Sequence, residues 1–126
     1  RVWIPACSTG EEAYSVAIAL VEYMSQADVT RPVQIFATDV SDMAIERART
    51  GKYLDDVAAT ISPERLRRFF VKNTVGYQVA KSIRDMCVFA KQNLTLRYES
   101  LGKEDNEHDV SLKPFVGTLR VTKPVR

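Results

Sequence analysis

Arg1-Val2-Trp3-Ile4-Pro5-Ala6-Cys7-Ser8-Thr9-Gly10-Glu11-Glu12-Ala13-Tyr14, read together with Val33-Gln34-Ile35-Phe36-Ala37-Thr38-Asp39, decides the fold of this chain. A short β-like start runs into a loop of small residues, and the loop opens an amphipathic helix. A second apolar run then ends in an acid. This strand, loop, helix, strand, acid order is a βαβ unit. In a doubly wound α/β sheet, ligands sit beyond the carboxyl ends of the strands, where an acid ending the second strand can take the hydroxyls of a ribose. A ligand containing a nucleoside suits the order.

The loop is not the dinucleotide fingerprint. That fingerprint needs three glycines for the turn, for close approach to a pyrophosphate and for helix packing, and only Gly10 stands here, followed by Glu11 and Glu12. Two carboxylates would repel a phosphate, but they suit a cation such as an amino group or a sulfonium. A plainer reading makes Glu11 and Glu12 first-turn acids that complement the helix dipole, and Asp39 a turn or capping residue ahead of Ser41. Their joint occurrence in one βαβ unit favours a site.

Working outward, Ala13, Val16, Ala17, Leu20, Val21 and Met24 recur at helical spacing and predict an apolar stripe that packs on a sheet. A second helix is predicted from the N-cap Ser41 through Ala44, Ile45 and Ala48 to a stop at Gly51. Ser62-Pro63-Glu64 supplies an N-cap, a first-turn proline and an early acid for a third helix over Pro63 to about Phe70. Beyond Phe70 the period changes. Val71-Lys72, the turn-prone Asn73-Thr74-Val75-Gly76, then Tyr77, Val79 and Ile83 predict an antiparallel hairpin. Met86-Cys87-Val88-Phe89-Ala90 reads as a buried strand, with the polar pair Gln92-Asn93 at its carboxyl end.

Composition sets looser bounds. The chain has 126 residues, 45% of them hydrophobic, which suits one domain with one core. Its 18 basic and 16 acidic residues leave a net charge of +2, too balanced to suggest nucleic-acid binding. The cluster Arg65, Arg67, Arg68 and Lys72 reads as a solvated face rather than a docking patch. With no apolar run of membrane-spanning length and no leader ahead of the first strand, a cytoplasmic chain without membrane insertion is expected. Cys7 and Cys87 have neither metal spacing nor the look of a disulfide framework. Cys7 lacks a neighbouring histidine to serve as base, so it reads as a small loop residue. His108, the single histidine, falls in the polar stretch Lys103 to Asp109, taken as a solvated loop; no metal site is expected.

Six blocks carry a resemblance: Arg1-Val2-Trp3, Ala6 to Ser15, Ile35 to Asp39, Ser62 to Leu66, Ile83 to Met86, and Phe89 to Leu94. In this order they resemble the CheR-type methyltransferases, which esterify glutamate side chains of bacterial chemoreceptors. The wording from Arg67 to Lys72 and from Lys81 to Phe89 is similar to the branch fused to a methylesterase. The resemblance implies a partial Rossmann-like methyltransferase sheet with helices and a small antiparallel β-subdomain, S-adenosyl-L-methionine as cofactor and a chemoreceptor cytoplasmic domain as protein substrate. It assigns the backbone of the loop from Ala6 to Gly10 to the cofactor, Glu12 to its amino group, Asp39 to the ribose, and Asn93 with Leu94 to the adenosine pocket. No residue is assigned to the chemical step.

The resemblance covers residues 1–95, including a hairpin subdomain at about 69–85; residues 96–126 depart from the family and form a divergent segment. In some members the subdomain docks a receptor tail peptide, but the turn after Lys72 is short and argues against docking here. The family's helical N-terminal domain, source of its methyl-transfer arginine, has no counterpart in these residues, so the isolated chain is expected to be inactive. A narrow sheet also predicts that Leu112 to Val125 pairs with it or that the chain self-associates. The rival reading is a non-catalytic ligand- or partner-binding module derived from the family. A nucleotide-dependent oxidoreductase is disfavoured by the missing glycines and the paired acids.

Overall fold

The computed structural model describes residues 1–92, 107–111 and 118–122, in two compact units, Arg1–Lys91 and Gln92–Arg126. The first unit is built on a parallel sheet of β1 (Val2–Pro5), β2 (Ile35–Asp39) and β6 (Cys87–Lys91), with β2 in the middle. Val2, Ile35 and Cys87 stand side by side in the register, as do Ile4, Ala37 and Phe89. Alternation then puts these residues on one face of the sheet. Ile4, Ile35, Ala37 and Phe89 are buried there, and fully burying a side chain such as Ile35 contributes about 1.5–3 kcal/mol.

That face is covered by α1 (Glu11–Gln26) and α2 (Asp42–Thr50), whose buried Ala13, Ala17 and Ala48 bring helix and sheet close. α2 begins and ends where its caps dictate. The Ser41 hydroxyl accepts from the Ala44 amide at 3.2 Å, and Gly51, in the left-handed region, closes the last turn. The buried line of α1 is Ala13, Tyr14, Ala17 and Ile18, with Val16, Leu20 and Val21 half-buried beside it. It is turned toward Tyr14 and Ile18 relative to the expected stripe, because α1 packs on α4 (Lys81–Arg84) as well as on β2 and β6.

Two expectations for the region after Phe70 need correction. Ile83 is not in the hairpin: it is buried in the short helix α4. The strand at 87–91 is an outer strand of the described sheet with only one buried face, so Val88 is 37% exposed while Phe89 is buried. Val88 shares a cross-strand row with Trp3 and Phe36 on the opposite face.

The hairpin itself pairs β4 (Phe70–Lys72) with β5 (Gly76–Val79), and the Asn73 carboxamide oxygen accepts from the amides of Val75 and Gly76 to shape its turn. A third strand, β3 (Lys52–Leu54), pairs antiparallel with β5, giving the order β3-β5-β4. Gly76 makes this pairing possible, since a Cβ there would lie 2.0 Å from the Tyr53 carbonyl oxygen. α3 (Pro63–Phe69) leads into β4 from the N-cap Ser62, as the Ser-Pro-Glu signal predicts. Three of the four basic residues on and after α3 are engaged internally: Arg65 grips the Glu22 carboxylate at 2.9 and 2.6 Å, Arg68 donates to Ser25, and Lys72 pairs with Asp55.

In the second unit, β7 (Glu107–Ser111) pairs antiparallel with β8 (Thr118–Thr122), opposing His108 to Val121. His108 therefore lies in a strand, not in a polar loop. The strand within Leu112 to Val125 is β8, which takes β7 as its partner. Antiparallel pairing of neighbouring segments needs only a short connection.

Candidate cofactor site

The loop between β1 and α1 sits at the carboxyl end of the parallel sheet. Its backbone alternates: Ala6 (φ 53°), Ser8 (φ 48°) and Gly10 (φ 92°) are left-handed. For Ala6 and Ser8 this is strained, and such strain persists only where surrounding contacts over-determine the chain. The contacts are present. The Cys7 amide donates to the Thr38 carbonyl at 3.0 Å, the Ser8 amide to Asp39 Oδ2 at 2.9 Å, and the Gly10 amide to the Cys7 carbonyl at 2.9 Å. Cys7 and Gly10 are buried while Ala6 and Ser8 are exposed, so these two positions face outward.

Gly10 answers to packing. A Cβ on it would meet the Ala48 Cβ at 2.9 Å and the Phe89 ring at 3.2 Å, and its φ disfavours any L side chain. It lets the loop lie directly on α2 and β6, which is what holds the outward positions at the end of the sheet.

Asp39 ends β2, where it was expected, and is fixed by two amides: Oδ2 accepts from Ser8 and Oδ1 from Ser41, each at 2.9 Å. The bond from Ser41 first, then that from Ser8, holds its carboxyl below the usual range, so it is ionised at neutral pH. An ionised carboxylate has about four acceptor positions. The Ser41 and Ser8 amides take two of them and the Val40 amide adds a weaker interaction, leaving acceptor capacity for a ligand hydroxyl.

The paired acids separate in role. The Glu11 carboxylate accepts the Thr9 hydroxyl, with its two oxygens 2.7 and 2.6 Å away, so Glu11 is already engaged at the helix start. Glu12 is exposed and has no hydrogen-bonding partner among the described residues. Of the two, it is the one available to a cation. Cys7 is poorly suited to act as a nucleophile: burial first, with the Asp39 charge adding, pushes its thiol up to about 11. Asn93 and Leu94 lie outside the described residues. Gln92, the residue after β6, carries a buried Nε2 with no hydrogen-bonding partner among the described residues.

Two long-range hydrogen bonds that no local sequence pattern signals hold this loop. Ser8 supplies the amide that ties the loop to Asp39. Tyr53, from β3, donates its hydroxyl to the Thr9 carbonyl at 2.8 Å. It stands between an open cleft of about 850 Å3, reaching Thr9, Glu11, Lys52 and the hairpin turn, and a smaller cavity of about 300 Å3 beside Tyr14 and Ile18. A tyrosine two residues after a helix-stopping glycine was the available signal, but a three-residue strand is too short to announce itself by alternation.

Residues 1–105 match the family described as CheR methyltransferase, SAM binding domain. The chain belongs to the CheR methyltransferase family. It is 39% identical over 110 residues to chemotaxis protein methyltransferase 1 of Pseudomonas aeruginosa, covering 83% of this chain and 40% of that protein. It is 35% identical over 98 residues to the chemotaxis protein methyltransferase of Salmonella typhimurium, covering 75% of this chain and 33% of that one. A 104.1 kDa protein of Rhodobacter capsulatus is 39% identical over 94 residues, 75% of this chain and 10% of its own length. The chain thus spans two fifths or less of these relatives.

The family's cofactor is S-adenosylmethionine, and the donor set fits it. An ionised Asp39 with acceptor capacity to spare suits a ribose, Glu12, without a side-chain partner among the described residues, suits an ammonium, and the outward positions Ala6 and Ser8 admit close approach. A pyrophosphate would meet Glu11 and Glu12 instead. No described helix is long and apolar enough to cross a membrane.

Proposed function

We propose that this chain carries the cofactor-binding half-site of an S-adenosylmethionine-dependent protein-glutamate O-methyltransferase acting, in the cytoplasm, on the cytoplasmic domains of chemoreceptors. The observation that carries the reading is the Ser8 to Asp39 bond, which joins the loop that leads into Glu11 and Glu12 to the acid at the end of β2. Asp39 takes the ribose hydroxyls and Glu12 the amino group. The loop from Ala6 to Gly10 gives backbone contacts, and Asn93 with Leu94 takes the adenine end, by family resemblance.

When bound, S-adenosylmethionine supplies a sulfonium-bound methyl group that a glutamate carboxylate accepts, giving a methyl ester and S-adenosylhomocysteine. A carboxylate is already nucleophilic at neutral pH, so the chain's own residues position and shield rather than move protons. Asp39, pre-ionised and held by two amides, needs no reorganisation to receive hydroxyls. Residues 1–95 form the methyltransferase core with its hairpin subdomain in this reading, and 96–126 a separate segment. β1 and β6, the outer strands of the described sheet, are the edges through which self-association would pair. The match to a small fraction of the Rhodobacter protein supports a place within a larger multidomain chain.

Calorimetry on the chain tests the reading. S-adenosylhomocysteine should bind weakly and NAD not appreciably, with the former lost in Asp39→Ala; tighter NAD binding, or S-adenosylhomocysteine binding unchanged in Asp39→Ala, would overturn it.

A further inference from the structure

The strained loop is held unevenly. Its first half is tied to β2, by Cys7 to the Thr38 carbonyl and by Ser8 to the Asp39 carboxylate. Its second half has the internal bond from Gly10 to Cys7, and Gly10, the N-cap of α1, brings no side-chain cap. The external bond to this half comes from the antiparallel sheet, where the Tyr53 hydroxyl donates to the Thr9 carbonyl at 2.8 Å.

We propose that Tyr53 is a positioning residue for the cofactor: by fixing the Thr9 carbonyl it holds the loop backbone in the shape that meets the ligand. This rests on the cofactor reading of the loop given above. Tyr53 is itself well placed to be a fixed point. Its ring meets the Tyr14 ring edge-on at 6.4 Å and 83°, and Tyr14 is pinned in turn by donating to the Ala48 carbonyl at 2.6 Å. Its strand is registered by pairing Tyr53 with Tyr77 of β5. Burial, with the nearby Glu11 charge adding, raises its phenol above the ordinary value, so the hydroxyl is protonated and donates throughout the working pH range. The antiparallel sheet thereby has a direct mechanical connection to the cofactor loop.

Tyr53→Phe keeps the ring against Tyr14 and removes only the donor. One hydrogen bond of this kind corresponds to a roughly two- to tenfold loss of affinity. The test measures S-adenosylhomocysteine affinity by calorimetry, and amide hydrogen exchange of the apo chain at Gly10, bonded within the loop, and at Ile35, bonded to Met86 in the sheet. The expected result is a several-fold weaker affinity, with exchange accelerated at Gly10 and unchanged at Ile35. Equal affinity in Tyr53→Phe and the unaltered chain overturns the proposal. So does exchange that is unchanged at Gly10 or accelerated equally at both sites, which marks a merely structural tyrosine. Should the unaltered chain bind no S-adenosylhomocysteine, the cofactor reading fails, while the exchange comparison still judges the Tyr53 clamp.

Discussion

Ser8 donates its amide to Asp39 Oδ2 at 2.9 Å, so the residue expected to receive the ribose also anchors the loop expected to meet the rest of the cofactor. Removing the Asp39 carboxylate therefore has two consequences, not one. Asp39→Ala should weaken S-adenosylhomocysteine binding and also release the strained backbone at Ser8. Hydrogen bonds to a charged group contribute about 1.5–3 kcal/mol, and for this half-exposed pair a loss of stability near about 1 kcal/mol is expected. Urea unfolding of the apo chain reads that loss without any ligand. A destabilisation of zero would mean the amide finds an equally good partner in water.

The same two amides predict a pH dependence. Asp39 has a folded-state pKa below its unfolded value, so its contribution is fully present above the ordinary carboxylate pKa of about 4 and is lost as pH falls through the folded value. Glu22, lowered by its bond from Arg65, acts in the same direction. Unfolding midpoints between neutral pH and about pH 3 should fall, and Asp39→Asn should flatten part of that slope while leaving the Glu22 part in place. An identical slope in Asp39→Asn would show that the carboxylate is not held in its ionised form.

Gly10 tests how tightly the loop must lie on its neighbours. A methyl group there meets Ala48 and Phe89 inside ordinary contact and adopts an unfavourable φ. Gly10→Ala should cost about 1–3 kcal/mol of stability by urea titration. Ser8→Gly relaxes a strained position without removing the amide that reaches Asp39, and should be neutral or mildly stabilising.

Both thiols should be sluggish. Burial raises Cys7 and Cys87 to about 11, so at pH 8 hardly any thiolate is present in the folded chain. Labelling with a disulfide reagent should be slow under native conditions and fast in urea. A rapid native phase would place one of them in an electropositive, open setting that the geometry does not contain.

What the sequence disclosed and what it hid follow the reach of the interactions. The caps Ser41, Gly51 and Ser62 act within a turn of their own position, so α2 and α3 start and stop as their sequence signals predict. The position of Asp39 follows from the βαβ order. The sheet β3-β5-β4 was only half legible, because β3 is three residues long and exists through its pairing with β5 and through Gly76, both remote in sequence. Ile83 was misplaced for a related reason: alternation over a few residues is shared by a strand and by a short helix that buries one side chain. The Ser8 and Tyr53 bonds join residues 31 and 44 positions apart, and no local pattern encodes them.

Gly76 gives the last prediction, and it reaches the cofactor site from a distance. A Cβ on Gly76 would sit 2.0 Å from the Tyr53 carbonyl oxygen and 2.8 Å from the Leu54 backbone, contacts that no side-chain rotation relieves. Gly76→Ala must therefore push β3 away from β5. Tyr53 rides on β3, so its hydroxyl leaves the Thr9 carbonyl while the parallel sheet, Asp39 and Glu12 are untouched. The expected outcome is a chain that stays folded, with Ile35 still protected from hydrogen exchange, but that shows faster exchange at Gly10 and weaker binding of S-adenosylhomocysteine. Combining Gly76→Ala with Tyr53→Phe should then add little to the loss of affinity, because both changes break the same bond. Fully additive losses would mean that the antiparallel sheet influences the site by some route other than Tyr53.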